Sequence, residues 1–138
     1  LSFRLSEAYL NLAEAAAKDD DETTALWALN ELRRNRFADY NAIQGITGEE
    51  LVTLIRQERR LELCFEGHRW FDLRRYGMPS ISHDYKARSS LPWVTYTLRE
   101  KDPLYTLPFP TTVFKNNIQL EQNPSAREPE RKGEIKSN

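Results

Sequence analysis

Every one of the seven prolines in this 138-residue chain lies at or beyond position 79, so the first 78 residues are free to run as uninterrupted helices. Apolar residues confirm the opportunity: Leu5, Ala8, Tyr9, Leu12, Ala13 and Ala16 fall at the i, i+3, i+4, i+7 spacing of one helix face. Asp19, Asp20 and Asp21 then interrupt the pattern. Their short carboxylates suit the cap of a following helix, where negative charge also matches the macrodipole, and no EF-hand ligand spacing follows that would make them a calcium site. A second helix is predicted from about Glu22 to Arg36, burying Ala25, Ala28, Leu29 and Leu32. The alanines let the two backbones approach closely in an antiparallel hairpin of tetratricopeptide-like form, although that repeat's full consensus is absent.

Thr47 followed by Glu50 reads as a capping box, opening a long helix from about Gly48 through Arg75, with Gly67 a potential kink and Gly77 and Pro79 as its stop. Past Met78 the helical period ends. The prolines, serines, asparagines and aromatics there predict mostly irregular structure, with short strands near Trp93 to Leu98. The expected fold class is therefore all-α: a helical core over 1–77 with three main helices, then a loop-rich, proline-rich segment over 78–138 ending in a charged tail from Arg127, both parts of one domain.

Composition narrows the function. Twenty Lys and Arg against 21 Asp and Glu leave a net charge of -1, which gives no broad positive field for nucleic acid or an anionic membrane. Cys64 is the one cysteine, so no internal disulfide or paired-cysteine zinc site is expected, and His68 and His83 stand apart; neither a metal nor a cofactor is anticipated. No segment approaches the roughly 20 apolar residues of a membrane helix. The chain opens on Leu1 inside a helical pattern with no initiating Met, so the expectation is a longer polypeptide whose targeting signal lies upstream.

On the third helix, Leu51, Leu54, Ile55, Leu61 and Phe65 form the predicted buried stripe, yet Glu58 and Glu62 lie on or beside it. Buried carboxylates need partners, and Arg4, Arg33 and Arg36 are supplied by the two preceding helices. Arg69 and Asp72, three apart, make a further expected pair. Glu58 and Glu62 as the acid and base of a glycoside hydrolase is the rival reading. At i and i+4 they would be only ~6 Å apart, and the arginines would lower both pKa values, so no catalytic residue is expected and the chain is read as not an enzyme.

The string Glu58, Arg59, Arg60, Leu61, Glu62, Leu63, then Glu66, Gly67, His68, Arg69, Trp70, then Asp72, Leu73, Arg74, Arg75 resembles the signature of the SusD/RagB family. Arg4, Glu7, Tyr9, Leu10, Ala13 and Glu14 look like that family's first motif, and Leu29, Asn30, Arg33 and Arg36 like its second. Leu107, Pro108, Pro110, Asn117, Leu120, Gln122, Asn123 and Pro124 are similar to its closing proline and glutamine-asparagine-proline motif. Ser125 and Ala126 depart from the glycine and aromatic often found there. The resemblance, over residues 1 to 124, implies the carboxy-terminal portion of an outward-facing, lipid-anchored outer-membrane protein that captures glycans without cleaving them. It also implies a TonB-dependent transporter of the SusC type as partner, with contact to the membrane only through an upstream anchor. The alternative to glycan capture is an intracellular helical-hairpin adaptor for peptides.

Sugar rings bind on exposed aromatic faces, so Trp93, Tyr96, Tyr85 and Tyr105 in the loop-rich half are the candidate glycan-binding residues, with Trp93, after Pro92, the first choice.

Overall fold

The computed structural model describes residues 4–127 and 133–136, and the chain divides into two units, Leu1–Arg69 and Trp70–Asn138. The division falls at 69/70 and not at 77/78. Of the charged tail expected from Arg127, residues 128–132 and 137–138 lie outside the described residues.

The first unit contains α1 (Leu5–Lys18), α2 (Glu22–Arg34) and α3 (Gly48–Glu62). Each aspartate between α1 and α2 has its own task. Asp19 caps the end of α1, and Asp20 takes the left-handed conformation at φ 57. The Asp21 amide then donates to Ala16 O at 2.9 Å, which closes a Schellman turn. The Asp21 carboxylate in turn accepts from the Thr24 amide at 3.0 Å and caps α2. Those bonds to Thr24 hold its pKa below the usual carboxylate range.

With the reversal so tight, small side chains close the interface: Ala13, Ala16 and Ala17 of α1 meet Ala25, Ala28 and Leu29 of α2, and Leu51, Val52 and Ile55 of α3 cover them. Leu10, Leu32 and Leu63 form a second cluster. One buried amide organises the 35–47 connection: Asn30 Nδ2 donates to Ile43 O at 3.1 Å, while its Oδ1 accepts from the Ile43 amide at 2.9 Å and from the Tyr40 hydroxyl.

Three sequence expectations change here. The second helix stops at Arg34, two residues early. Thr47 is the N-cap of α3 but makes no side-chain cap bond, because Gly48 follows at φ 56 and turns the first amides off the regular helical path. The long helix is broken after Glu62 and resumes as α4 (His68–Arg75), with Phe65 at φ 62 and Gly67 at φ 82 reversing the backbone between them. Leu61 is 71% exposed and Phe65 is fully exposed, so neither belongs to the buried stripe. Leu61 sits six residues past Ile55, roughly 240° around a helix, whereas Glu58, Arg59 and Glu62 continue the inward face.

In the second unit α4 ends at Gly77 (φ 92), where Met78 N donates to Leu73 O at 2.9 Å and Gly77 N to Arg74 O at 3.3 Å, another Schellman turn. The segment read as irregular holds a three-stranded antiparallel sheet, β1 (Ile81–Tyr85), β2 (Val94–Leu98) and β3 (Glu134–Ile135), in the order β1-β2-β3. The strand expected near Trp93 is β2; β1, as Ile-Ser-His-Asp-Tyr, carries too little apolar alternation to stand out alone. Gly133 lies against β2 so closely that a Cβ there would run into Val94 Cγ1 and the Tyr96 ring.

Beyond the hairpin, Asp102 accepts from the Leu104 amide at 3.0 Å and starts a 3-10 turn at Pro103–Tyr105. Gln122 behaves like a short strand partner: its Oε1 accepts from Phe109 N at 2.8 Å and its Nε2 donates to Phe109 O at 3.0 Å. Asn123 Nδ2 adds a bond to Leu107 O at 2.8 Å. The closing glutamine-asparagine pair thus supplies side-chain partners for backbone flanked by Pro108 and Pro110, which cannot donate. A short α5 (Thr111–Phe114) completes a mostly helical chain of five α-helices among the described residues.

Leu29→Ala should destabilise the 138-residue chain by about 3 kcal/mol because Leu29 is fully buried. Leu61→Ala should change stability by less than about 0.5 kcal/mol. Chemical denaturation compares the two; equal losses would contradict the assigned face of α3.

Candidate functional site

Two groups of residues carry the chemistry, one in each unit. The first is ionic. Glu58, Arg59 and Glu62 point inward because they follow Ile55 at i+3, i+4 and i+7 on α3. Glu58 accepts from Arg33 of α2. Glu62 is gripped by Arg36 through two bonds, Nε to Oε2 at 2.9 Å and Nη2 to Oε1 at 2.6 Å, and Arg4 Nη2 adds a third at 3.0 Å. Arg4 also reaches Glu66, across the break that ends α3. Arg33 is held flat by aromatic faces, its guanidinium 4.9 Å from the Phe37 ring centre and 5.7 Å from that of Tyr40.

Further pairs escaped the sequence reading. Arg56 Nε donates to Glu14 at 3.1 Å, and buried Arg59 donates to Asn11 Oδ1 at 2.9 Å with Glu7 3.6 Å away. His68 Nδ1 lies 3.7 Å from Glu7. The available signal was the stripe Glu7, Asn11 and Glu14 at i, i+4 and i+7 on α1, facing an arginine pair three apart on α3. Asp72, expected with Arg69, bonds Arg75 Nε at 3.0 Å, and Arg69 is exposed.

Hydrogen bonding from Arg36, helped by the charges of Arg36 and Arg4, holds the Glu62 carboxyl below the usual range despite its partial burial. A carboxyl kept ionised in this way cannot supply the proton a glycosidic leaving group needs near neutral pH. The arrangement binds helices together.

Glu62→Ala should therefore destabilise the fold by about 1 kcal/mol, since deletion removes three charge-assisted bonds but leaves Arg36 and Arg4 partly hydrated. Thermal unfolding measures it; an unchanged midpoint would count against the clamp. A lowered folded pKa also fixes the sign of the pH response. The Glu62 contribution is complete above the unfolded carboxylate value of about 4.3 and is lost as pH falls through the lower folded value. Wild-type stability should drop between about pH 4.5 and pH 3 by more than that of Glu62→Gln, read from urea midpoints across that range.

The second group is aromatic and sits on the hairpin. Pairing of Ile81 with Leu98, His83 with Tyr96 and Tyr85 with Val94 places these six side chains on one face. Ser82, Asp84, Thr95 and Thr97 occupy the other, where the hydroxyls of Ser82 and Thr97 are 2.7 Å apart and Thr95 Oγ1 donates to Asp84 at 2.7 Å. Trp93 has the parity of Thr95 and joins this polar face, 48% exposed, with Lys86 Nζ 5.6 Å from its ring centre. β3 extends both faces. Lys136 N donates to Trp93 O at 2.9 Å, and Lys136 Nζ bonds Asp84, which together with Thr95 lowers the Asp84 pKa.

The four candidate aromatics are therefore not one surface. Trp93 projects from one side, while exposed Tyr85 and Tyr96 project from the other. Tyr105 is 0% exposed, donates its hydroxyl to Pro79 O and stacks on Trp70 at 5.1 Å, so the expectation of a sugar platform there is corrected: its ring is core.

Comparison with known proteins places this geometry. The sequence profile of the SusD family matches residues 1–125. The starch-binding protein SusD of Bacteroides thetaiotaomicron is 32% identical over 124 residues, which cover 88% of this chain and 20% of that protein. The crystal structure of a SusD-like protein from Bacteroides fragilis superposes with a TM-score of 0.60 at 27% identity, covering 86% of this chain and 24% of that one. The chain thus spans about a fifth to a quarter of the length of these relatives. Because the matched residues take in both the arginine and glutamate clamp of the first unit and the Gln122 staple of the second, this chain belongs to the SusD family.

Proposed function

We propose that this chain is part of a protein that captures glycans at the outer face of an outer membrane, without cleaving them, for delivery to a TonB-dependent transporter of the SusC type. The observation that carries the reading is the family match over residues 1–125, joined by the 32% identity to a starch-binding protein. The ionised, arginine-held Glu62 supports a binding role over a hydrolytic one. In this reading an exposed aromatic of the hairpin stacks on the sugar, Trp93 on the polar face first, with Tyr85 and Tyr96 on the opposite face as the other candidates.

Calorimetry of the intact protein against a panel of purified glycans tests the proposal. One class should bind and be recovered uncleaved. Trp93→Ala should weaken that binding severalfold, about 1 kcal/mol, while leaving the unfolding midpoint close to wild type. No binding across the panel, or release of shorter products, would sink the reading. An unchanged affinity in Trp93→Ala would move the sugar site off the polar face of this hairpin.

A further inference from the structure

The hairpin's polar face holds one detail that a platform for neutral sugars does not require. An indole face carries the negative end of the ring quadrupole, so by itself it disfavours a carboxylate laid against it. Here the Lys86 ammonium stands 5.6 Å from the Trp93 ring centre, on the same face of the sheet. The neighbouring cation Lys136 is already engaged with Asp84. Among the described residues no carboxylate pairs with Lys86. It is the cation of this face that an incoming anion can take up, and its attraction to an exposed ring is weak enough to be exchanged for a ligand carboxylate.

From this juxtaposition we infer that the Trp93 and Lys86 site selects acidic glycans, specifically chains of uronic acid: the CH face of the sugar stacks on the indole and the carboxylate meets the Lys86 ammonium. The inference rests on the proposed glycan-binding role and deepens it by naming the class. Asp84 and Thr95 sit one step along the same face, with Asp84 tied by Thr95 and Lys136. Glu134 lies opposite Thr95 on this face, a strand further from Lys86, so Lys86 is the charged group set against the Trp93 ring.

The decisive experiment titrates the intact protein with oligogalacturonate and with oligomannuronate, each beside its fully methyl-esterified form, which keeps the sugar and removes the charge. At least one acid form should bind roughly tenfold more tightly than its ester, with the advantage shrinking as salt is raised. Lys86→Gln should abolish that advantage while leaving ester binding and the unfolding midpoint unchanged, Lys86→Arg should retain it, and Trp93→Ala should weaken both forms. Lys115→Gln, an exposed lysine elsewhere in the same unit, should change nothing. Equal affinity for acid and ester, or a Lys86→Gln variant that loses neither or both, overturns the inference. Binding of a neutral glycan with no binding of either acid overturns it too but leaves the proposed function standing. Absence of any glycan binding removes both.

Discussion

Everything in the helical unit depends on the carboxylates that α3 turns inward. A glutamate on a buried face is tolerated only when its charge is met, and Glu58 and Glu62 are met by arginines from sequence positions 25 to 58 residues away. Each of those bonds also fixes a helix: Arg33 lies in the last turn of α2, Arg36 just beyond it, and Arg4 precedes α1. The alanine core is shallow, with little side-chain volume to specify one packing, and the charged pairs supply the register that small apolar residues cannot. Ionic specificity and close backbone approach are thus complementary solutions to one packing problem.

The break after Glu62 brings further charges together. Had the helix continued, Glu66 would have followed Glu62 one turn on, along the axis of α3. Instead the left-handed residues Phe65 and Gly67 redirect the chain, Glu66 meets Arg4, and His68 comes within 3.7 Å of Glu7. Phe65 bears the cost of that turn, as a bulky residue at φ 62 with its ring in solvent.

The second unit works by different means. Prolines remove backbone donors, and side chains replace the missing ladder: Gln122 on Phe109, Asn123 on Leu107, Asp102 on Leu104, Tyr105 on Pro79. Loops held in this way can present fixed side chains without regular structure, which is a requirement for recognising a rigid sugar ring with little loss of conformational freedom. On the hairpin the strand register sorts those side chains, giving one face a lone indole among hydroxyls and charges and the other a mixed aromatic and aliphatic surface.

What the sequence determined by itself was whatever depends on neighbours close along the chain. Proline placement and 3.6-residue periodicity were enough to locate α1 and α2, the aspartate turn between them, and the Gly77 stop, because caps and turns are decided within a few residues. The same periodicity put Glu58 and Glu62 on the inward face, and the need to meet buried charge pointed to the arginines of the earlier helices. Periodicity misjudged Leu61 and Phe65, since continuing a helix through Gly67 was locally reasonable, whereas the chain turns at Phe65 and Gly67, where Glu66 meets Arg4. The identity of the polar partners of Arg56 and Arg59, the burial of Tyr105, the β1 partner of β2 and the separation of Trp93 from Tyr85 and Tyr96 were decided by tertiary structure alone. Each depends on residues brought together across long stretches of chain, and a strand pairing shifted by one residue would have exchanged the two faces of the hairpin without altering a single local preference.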